Sequence, residues 1–102
     1  MTKHEYLNAI LNNLLNDFSD WVKIELRENY EGENCFIFRM DNYNVCISER
    51  EFLFDYSMRD NVKFMSLDME FSEESAKRAS KRIEETVTKL YVKNLFKECN
   101  YQ

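Results

Sequence analysis

The first eighteen residues carry apolar side chains at spacings of three and four, the pattern of a helix that buries one face. This stripe runs from Leu7 to Phe18. Thr2 and Glu5 precede it with the spacing of a capping box, in which each side chain accepts a hydrogen bond from the other residue's backbone. The pattern predicts a first helix that ends near Asp17, where the repeat is lost.

From Trp21 onwards the apolar period changes to two. Apolar and charged residues alternate from Val22 to Arg27, which predicts a strand with one face in solvent. Gly32, the only glycine in the chain, marks the turn that follows. A second strand is expected over residues 35–40.

A hairpin is predicted next, because Asp41 and Asn42 both tolerate the positive φ of a two-residue turn. Such a turn puts every large apolar residue of the hairpin except Ile37 on one face. It also makes Cys35 and Cys46 diagonal neighbours, which argues against a disulfide. The predicted pairs are Met40 with Tyr43, Phe38 with Val45, Phe36 with Ile47, Ile37 with Cys46 and Cys35 with Ser48.

Further strands are indicated after the hairpin. The aromatic alternation from Phe52 to Tyr56 predicts a fourth strand. Asp60 and Asn61 are a turn signal, and residues 62–69 can form a fifth strand.

A long helix is expected to close the fold. Ser72 is its predicted N-cap, and Glu73 and Glu74 follow in the first turn, where acids interact favourably with the helix dipole. The predicted apolar stripe of this helix comprises Ala76, Ala79, Ile83, Val87, Leu90, Leu95 and Cys99.

These elements predict a single α+β domain over residues 1–102, with an N-terminal helix, an antiparallel meander of four to five strands and a long C-terminal helix. Both helices are expected on one sheet face, the one that carries Phe36, Phe38, Val45, Ile47, Phe52 and Phe54. The outer face mixes apolar and basic residues and could serve a partner or a second copy of the chain, so we expect a monomer or a homodimer. The residues of this outer patch are Ile37, Cys46, Leu53, Arg27 and Arg39.

The same pattern bears on location. No stretch approaches the roughly 20 apolar residues of a membrane span. The N-terminal apolar residues follow a helical stripe rather than the block of a signal peptide. We expect a cytoplasmic protein with no membrane partner.

The residue inventory argues against catalysis. One glycine and one histidine exclude glycine-rich phosphate loops and the HExxH metal motif. His4 is expected to be exposed in the first helical turn. Cys35, Cys46 and Cys99 form no CxxC pair and are expected to be buried or half-buried thiols. We predict that the protein is not an enzyme and that it uses no metal or cofactor.

Charge is distributed unevenly along the chain. Residues 17–74 hold 15 acidic and six basic residues, a net charge of −9, whereas residues 75–102 carry +4. A negative field over the middle of the chain attracts a basic protein surface and repels nucleic acid. The candidate partner-binding acids are Glu25, Glu28, Glu31, Glu33, Glu49, Glu51 and Asp55.

The start of the last helix carries a second charged surface, the basic quartet, formed by Lys77, Arg78, Lys81 and Arg82. It could contact phosphates. However, acids four residues away can pair with it, and no aromatic residue interleaves for base stacking. Nucleic-acid binding is therefore kept as an alternative, and the expected partner is a protein.

One segment has a family resemblance. Residues 36–49, FIFRMDNYNVCISE, preceded by Val22-Lys23-Ile24 and an N-terminal helix, resemble the hairpin region of small acidic phage-encoded anti-CRISPR proteins that inhibit Cas9. Members of that family occupy the site where Cas9 reads the protospacer-adjacent DNA and present acidic residues to its arginines. The resemblance implies an acidic decoy. It transfers no individual binding residue, because the basic closing helix departs from the family pattern.

The favoured interpretation is an inhibitor from a phage or mobile element that binds a basic nucleic-acid site on a host defence protein. One alternative is an immunity protein that neutralises a toxic nuclease with the same acidic surface. The other is a nucleic-acid binder that uses the basic quartet.

Overall fold

Two helices and four strands form the part of the chain that the computed structural model describes. They follow in the order α1 (Lys3–Asp17), β1 (Lys23–Glu28), β2 (Asn34–Met40), β3 (Tyr43–Ser48), β4 (Asn61–Phe64) and α2 (Glu73–Asn100). The described residues are 1–18, 20–28, 32, 34–40, 43–48, 61–64 and 70–100.

Helix α1 begins at the predicted capping box. The backbone N–H of Glu5 donates to Thr2 Oγ1 at 3.1 Å, and the backbone N–H of Thr2 donates to Glu5 Oε1 at 3.0 Å. The helix ends at Asp17 because Phe18 adopts an extended conformation, with φ −92° and ψ 150°. Both predicted ends of this helix are confirmed.

Strands β1, β2 and β3 pair antiparallel in chain order. All five predicted hairpin pairs between β2 and β3 are present, from Met40 opposite Tyr43 to Cys35 opposite Ser48. Strand β1 adds to the other side of β2, with Ile24 opposite Phe38. The N-terminal helix, the hairpin and the C-terminal helix of the predicted α+β fold are thus confirmed.

The prediction of a four- to five-stranded antiparallel meander is wrong. The antiparallel sheet has three strands, and β4 pairs with β3 in parallel, from Val45 opposite Asn61 to Ser48 opposite Phe64. Alternating apolar residues indicate a strand but not its direction, so the local pattern could not reveal this pairing. A parallel pair also needs a longer connection than a hairpin turn. The predicted fourth strand, 52–56, and residues 65–69 of the predicted fifth lie outside the described residues.

Both helices pack against the same sheet face, as predicted. One buried cluster joins side chains of α1, α2 and the hairpin, among them Ile10, Ile83 and Phe38. Ala76 and Ala79 are buried at the start of α2, where their small side chains permit close packing. Ser72 caps this helix, because its Oγ accepts the backbone N–H of Ser75 at 3.1 Å.

The apolar stripe of α2 is buried over only part of its predicted length. Val87 is fully buried and Leu90 is half-buried, whereas Leu95 is 42% exposed. Among the described side chains of this stripe, burial stops short of Leu95, so helical periodicity alone overestimates the buried length. The side chain of Cys99 lies outside the described residues.

The outer sheet face is not the exposed apolar patch that the sequence predicted. Ile37 and Cys46 are completely buried and form a second small cluster with Cys35. Only Arg27 and Arg39 of the predicted patch retain substantial exposure among the described residues. Leu53 lies outside them.

Candidate partner-binding surfaces

Glu25 lies in a three-residue ion cluster on the outer sheet face. Its carboxylate oxygens are 2.7 Å from Nη2 of Arg27 and 3.1 Å from Nη1 of Arg39. Arg27 is two residues further along β1 and Arg39 reaches across from β2. All three side chains are partly exposed, so each pair is weak. Both arginines nevertheless compete with any outside base for this carboxylate.

Glu28 is the last residue of β1, and its side chain is exposed. Successive side chains of a strand point to opposite faces, so Glu28 and Glu25 lie on different sides of the sheet. The carboxylate lies beside Gly32, where an added Cβ would be 3.7 Å from Glu28 Oε1. Gly32 itself has φ +82°, a left-handed conformation that favours glycine. The two described acids of the predicted surface therefore do not share one face.

The remaining acids of the predicted partner-binding surface lie outside the described residues. These are Glu31, Glu33, Glu49, Glu51 and Asp55.

All four side chains of the basic quartet are exposed on α2. Arg78 is anchored within its own helix, because its Nη2 donates to Ser75 Oγ at 3.0 Å and its Nη1 lies 3.6 Å from Glu74 Oε1. The predicted four-apart pairing of Glu74 with Arg78 is thus present. Lys77 and Lys81 instead line a groove together with residues of α1.

A polar groove separates α1 from α2, and the sequence did not predict it. The two helices run parallel, since Ala9 and Asp17 of α1 lie beside Glu73 and Glu84 of α2, respectively. Between these contacts, Ser80 Oγ donates to the Ala76 carbonyl of its own helix at 2.7 Å and accepts from Asn13 Nδ2 at 3.3 Å. The groove encloses about 440 Å³. Its lining residues are Asn13, Asn16, Asp17, Lys77, Ser80, Lys81 and Glu84. Asparagines on the polar side of α1 are the one sequence signal that could have indicated it.

Two carboxyl groups meet at one end of this groove. Partial burial raises the pKa of Glu84 above its ordinary value, and the charge of Asp17 and a hydrogen bond to it raise this pKa further. Lys81 opposes the shift. No histidine or cysteine is among the described residues that line the groove.

Apolar side chains are exposed near the far end of the helix layer. Trp21 is 50% exposed, and its ring centroid lies 5.0 Å from that of Tyr91. Val92 and Leu95 continue the exposed apolar surface on the next turn of α2. Aromatic residues are enriched at protein interfaces, so this end of the molecule is a candidate contact area.

The residues with catalytic potential are dispersed. His4 is exposed in the first turn of α1, whereas Cys35 and Cys46 are reduced and buried in the sheet, as expected. Within the described ranges no group of three or more metal-ligating side chains comes together. Searching the same ranges, we find no helix with the length and apolar character needed to cross a membrane.

Comparison with protein-family models, curated proteins and solved structures found no match to this chain.

Proposed function

We propose that this protein is an inhibitor that binds a basic nucleic-acid-binding surface on another protein, of the kind found in CRISPR-type host defence. The observation that carries the proposal is the net charge of −9 on residues 17–74, the segment that contains the sheet. A rigid sheet can hold carboxylates at fixed spacings, and such an array attracts arginines and lysines that otherwise bind phosphates.

The described geometry ranks the two acids of β1. Glu28 is exposed at the strand end, whereas two arginines already contact Glu25. A partner's arginine that approached Glu25 would have to displace Arg27 or Arg39. We therefore assign Glu28 the larger share of partner binding and Glu25 a role within the sheet.

The proposal is tested by capture of the partner and its release by DNA. The immobilised protein is incubated with host lysate, washed, and eluted with duplex DNA at constant ionic strength. An acidic decoy shares its site with DNA, so the captured protein should be a nucleic-acid binder that the duplex releases. A captured protein that DNA leaves in place contradicts the decoy mechanism.

Matched variants locate the surface. Glu28→Gln and Glu25→Gln each remove one charge from the same strand, and only the first should weaken capture measurably. Combined reversal to Lys at Glu28, Glu49 and Glu51 should abolish it. Glu85→Lys, a reversal at an exposed acid of α2, is the control and should leave capture unchanged. Retention of the partner after the combined reversal would show that another surface binds it.

The identity of the partner separates a CRISPR inhibitor from an immunity protein. In the first case, the protein blocks target-DNA binding by purified Cas9 loaded with guide RNA. In the second, it blocks the activity of a toxic nuclease and leaves Cas9 unaffected.

Nucleic-acid binding through the basic quartet is the second candidate, and the exposure of all four side chains on α2 favours it. Arg78 already contacts Glu74 and Ser75. Glu84 lies in the same groove as Lys77 and Lys81. We therefore expect no DNA or RNA retention in mobility-shift assays at moderate salt. Salt-sensitive binding that is lost on charge reversal of the quartet would instead support this second function.

A further inference from the structure

Strand β1 lies at the edge of the described sheet, with β2 as its one neighbour there. An edge strand presents backbone N–H and C=O groups that can pair with another strand. Proteins commonly protect such edges with charged side chains, and β1 has the sequence KIELRE. The positions of these charges determine whether a second copy would be repelled or attracted.

A second copy can extend the sheet through a two-fold axis normal to it, which keeps the helices of both copies on the same side. Directly opposed residues of the two strands then point to the same face of the sheet. The axis must therefore lie between one residue of β1 and the same residue of the second copy. Four centres leave at least three residues of each β1 paired: Ile24, Glu25, Leu26 and Arg27.

Only one of these four registers is electrostatically favourable over more than three residues of each strand. A centre at Ile24 opposes Lys23 to Glu25 but pairs only residues 23–25. A centre at Glu25 opposes Glu25 to itself and Lys23 to Arg27, and a centre at Arg27 opposes two guanidinium groups. A centre at Leu26 opposes Glu25 to Arg27 twice, once on each side of the axis. Opposite charges on facing strands stabilise an antiparallel pair, and like charges destabilise it.

We propose that β1 pairs antiparallel with β1 of a second copy of this chain, with Leu26 at the two-fold axis. Each Glu25 carboxylate then faces Arg27 of the other copy. The side chains of Glu25 and Arg27 are 41% and 47% exposed on the outer face and so are accessible for this contact. Each copy exchanges its own contact between Glu25 and Arg27 for the same contact across the edge, so, unlike the arginine of a different protein, the arriving Arg27 leaves no displaced Arg27 without a carboxylate.

The opposite side of the same strand supports this pairing. Ile24 and Leu26 face the helices but are only partly buried, whereas Phe38 and Phe36 beside them on β2 are buried. The apolar core is therefore incompletely covered at this edge. Pairing of Leu26 with Leu26 of the second copy removes further apolar surface from water.

The interface is short, since β1 has six residues. Interfaces smaller than about 1,200 Å² in total are typically weak or transient, so we expect a concentration-dependent dimer. The dimer is measured on the isolated protein and does not depend on the partner under "Proposed function". Either proposal can therefore fail without the other.

Sedimentation velocity on the full-length protein over a range of concentrations provides the test. The wild type should self-associate. Glu25→Arg and Arg27→Glu each place like charges opposite one another at both sites and should weaken self-association about tenfold or more. Glu85→Arg makes the same charge change as the first variant on the exposed surface of α2 and should have no effect.

Mixing the two single variants gives the sharper result. The Glu25→Arg chain presents two arginines and the Arg27→Glu chain presents two glutamates, so the proposed register predicts attraction between them. Native mass spectrometry of an equimolar mixture should show a one-to-one heterodimer in excess of either homodimer. The double variant Glu25→Arg/Arg27→Glu should recover self-association.

Three outcomes would overturn the proposal: a wild type that stays monomeric at every concentration, single variants that associate as well as the wild type, or a mixture that yields no heterodimer. If a variant loses its fold by circular dichroism, amide hydrogen exchange on the wild type decides instead. The β1 amides should exchange more slowly as protein concentration rises, and exchange that is independent of concentration contradicts the pairing.

Discussion

Asp17, at the end of α1, lies close enough to Glu84, in the middle of α2, for its negative charge to add to the effect of burial in raising the pKa of Glu84. Asp17 is the last residue of α1, where the helix dipole disfavours a negative charge, and no basic residue lies in that last turn. The contact between the two helices therefore contains an unfavourable pair of like charges at neutral pH.

Replacement of Glu84 by Gln should stabilise the protein at neutral pH. The folded-state pKa of Glu84 is raised by burial first and by Asp17 second, so its ionisation disfavours folding. This penalty is absent below the ordinary pKa of about 4.5 and grows as pH rises through the raised folded-state pKa. In urea denaturation, Glu84→Gln should raise the free energy of unfolding at pH 7, and this gain should shrink towards pH 4.5. A gain in unfolding free energy that does not depend on pH would exclude ionisation of Glu84 as its cause. Glu85→Gln, at an exposed position of the same helix, is the control.

The capping box of α1 should make a measurable contribution to stability. Thr2→Ala removes the acceptor for the Glu5 backbone N–H and should cost about 1 kcal/mol of unfolding free energy. Thr2→Ser retains the hydroxyl and should cost less. Thermal or urea denaturation measures both, and equal losses for Ala and Ser would show that the hydrogen bond is not responsible.

The charge of Glu5 adds a pH dependence of its own. The hydrogen bond from the Thr2 backbone is the main cause that lowers the pKa of Glu5 below its ordinary value. Its stabilising effect is full above the ordinary pKa and is lost as pH falls through the lowered one. Glu5→Gln should therefore destabilise the protein at pH 7 and become neutral in strong acid. A constant difference at all pH values would contradict the assignment.

The hairpin could be predicted in full because its evidence is local. The predicted turn position gives the register in which Phe36, Phe38, Val45 and Ile47 lie on one face. Burial of that face favours this register over its alternatives. The contact between Glu25 and Arg39 was not predicted, because no register of β1 against β2 follows from the local pattern. In the structure Arg39 lies opposite Lys23 and reaches diagonally to Glu25, the next residue of β1 on the same face.

The parallel β4 and the groove depend on contacts between segments distant in the chain. Nothing near Asn61 in the sequence specifies that it pairs with Val45, and nothing near Glu84 indicates Asp17 as its neighbour. Such contacts arise from packing, which apolar periodicity does not encode. The same limit applies to Leu95, which the periodicity predicts to be buried and which is 42% exposed.

Cys35 and Cys46 should resist modification in the folded protein. Both thiols are buried in the sheet, and the Cys35 thiol donates to the Arg27 carbonyl at 3.5 Å. Thiolate formation and reagent access both require exposure. Treatment with iodoacetamide followed by peptide mass mapping should label these two sites only after denaturant is added. Rapid labelling of either site in native buffer would show that the sheet opens readily.

The close packing of α2 should make Ala79 intolerant of larger side chains. Ala79 is buried in the cluster that joins the helices to the sheet, so Ala79→Leu must displace its neighbours and should cost about 1–3 kcal/mol of unfolding free energy. Thr88→Leu introduces the same side chain at an exposed position of α2 and should change stability by no more than about 0.5 kcal/mol. Urea denaturation of both variants gives the comparison. Equal stability of the two would mean that the helix can move away from the sheet to accommodate Leu, and that Ala79 does not set the packing distance.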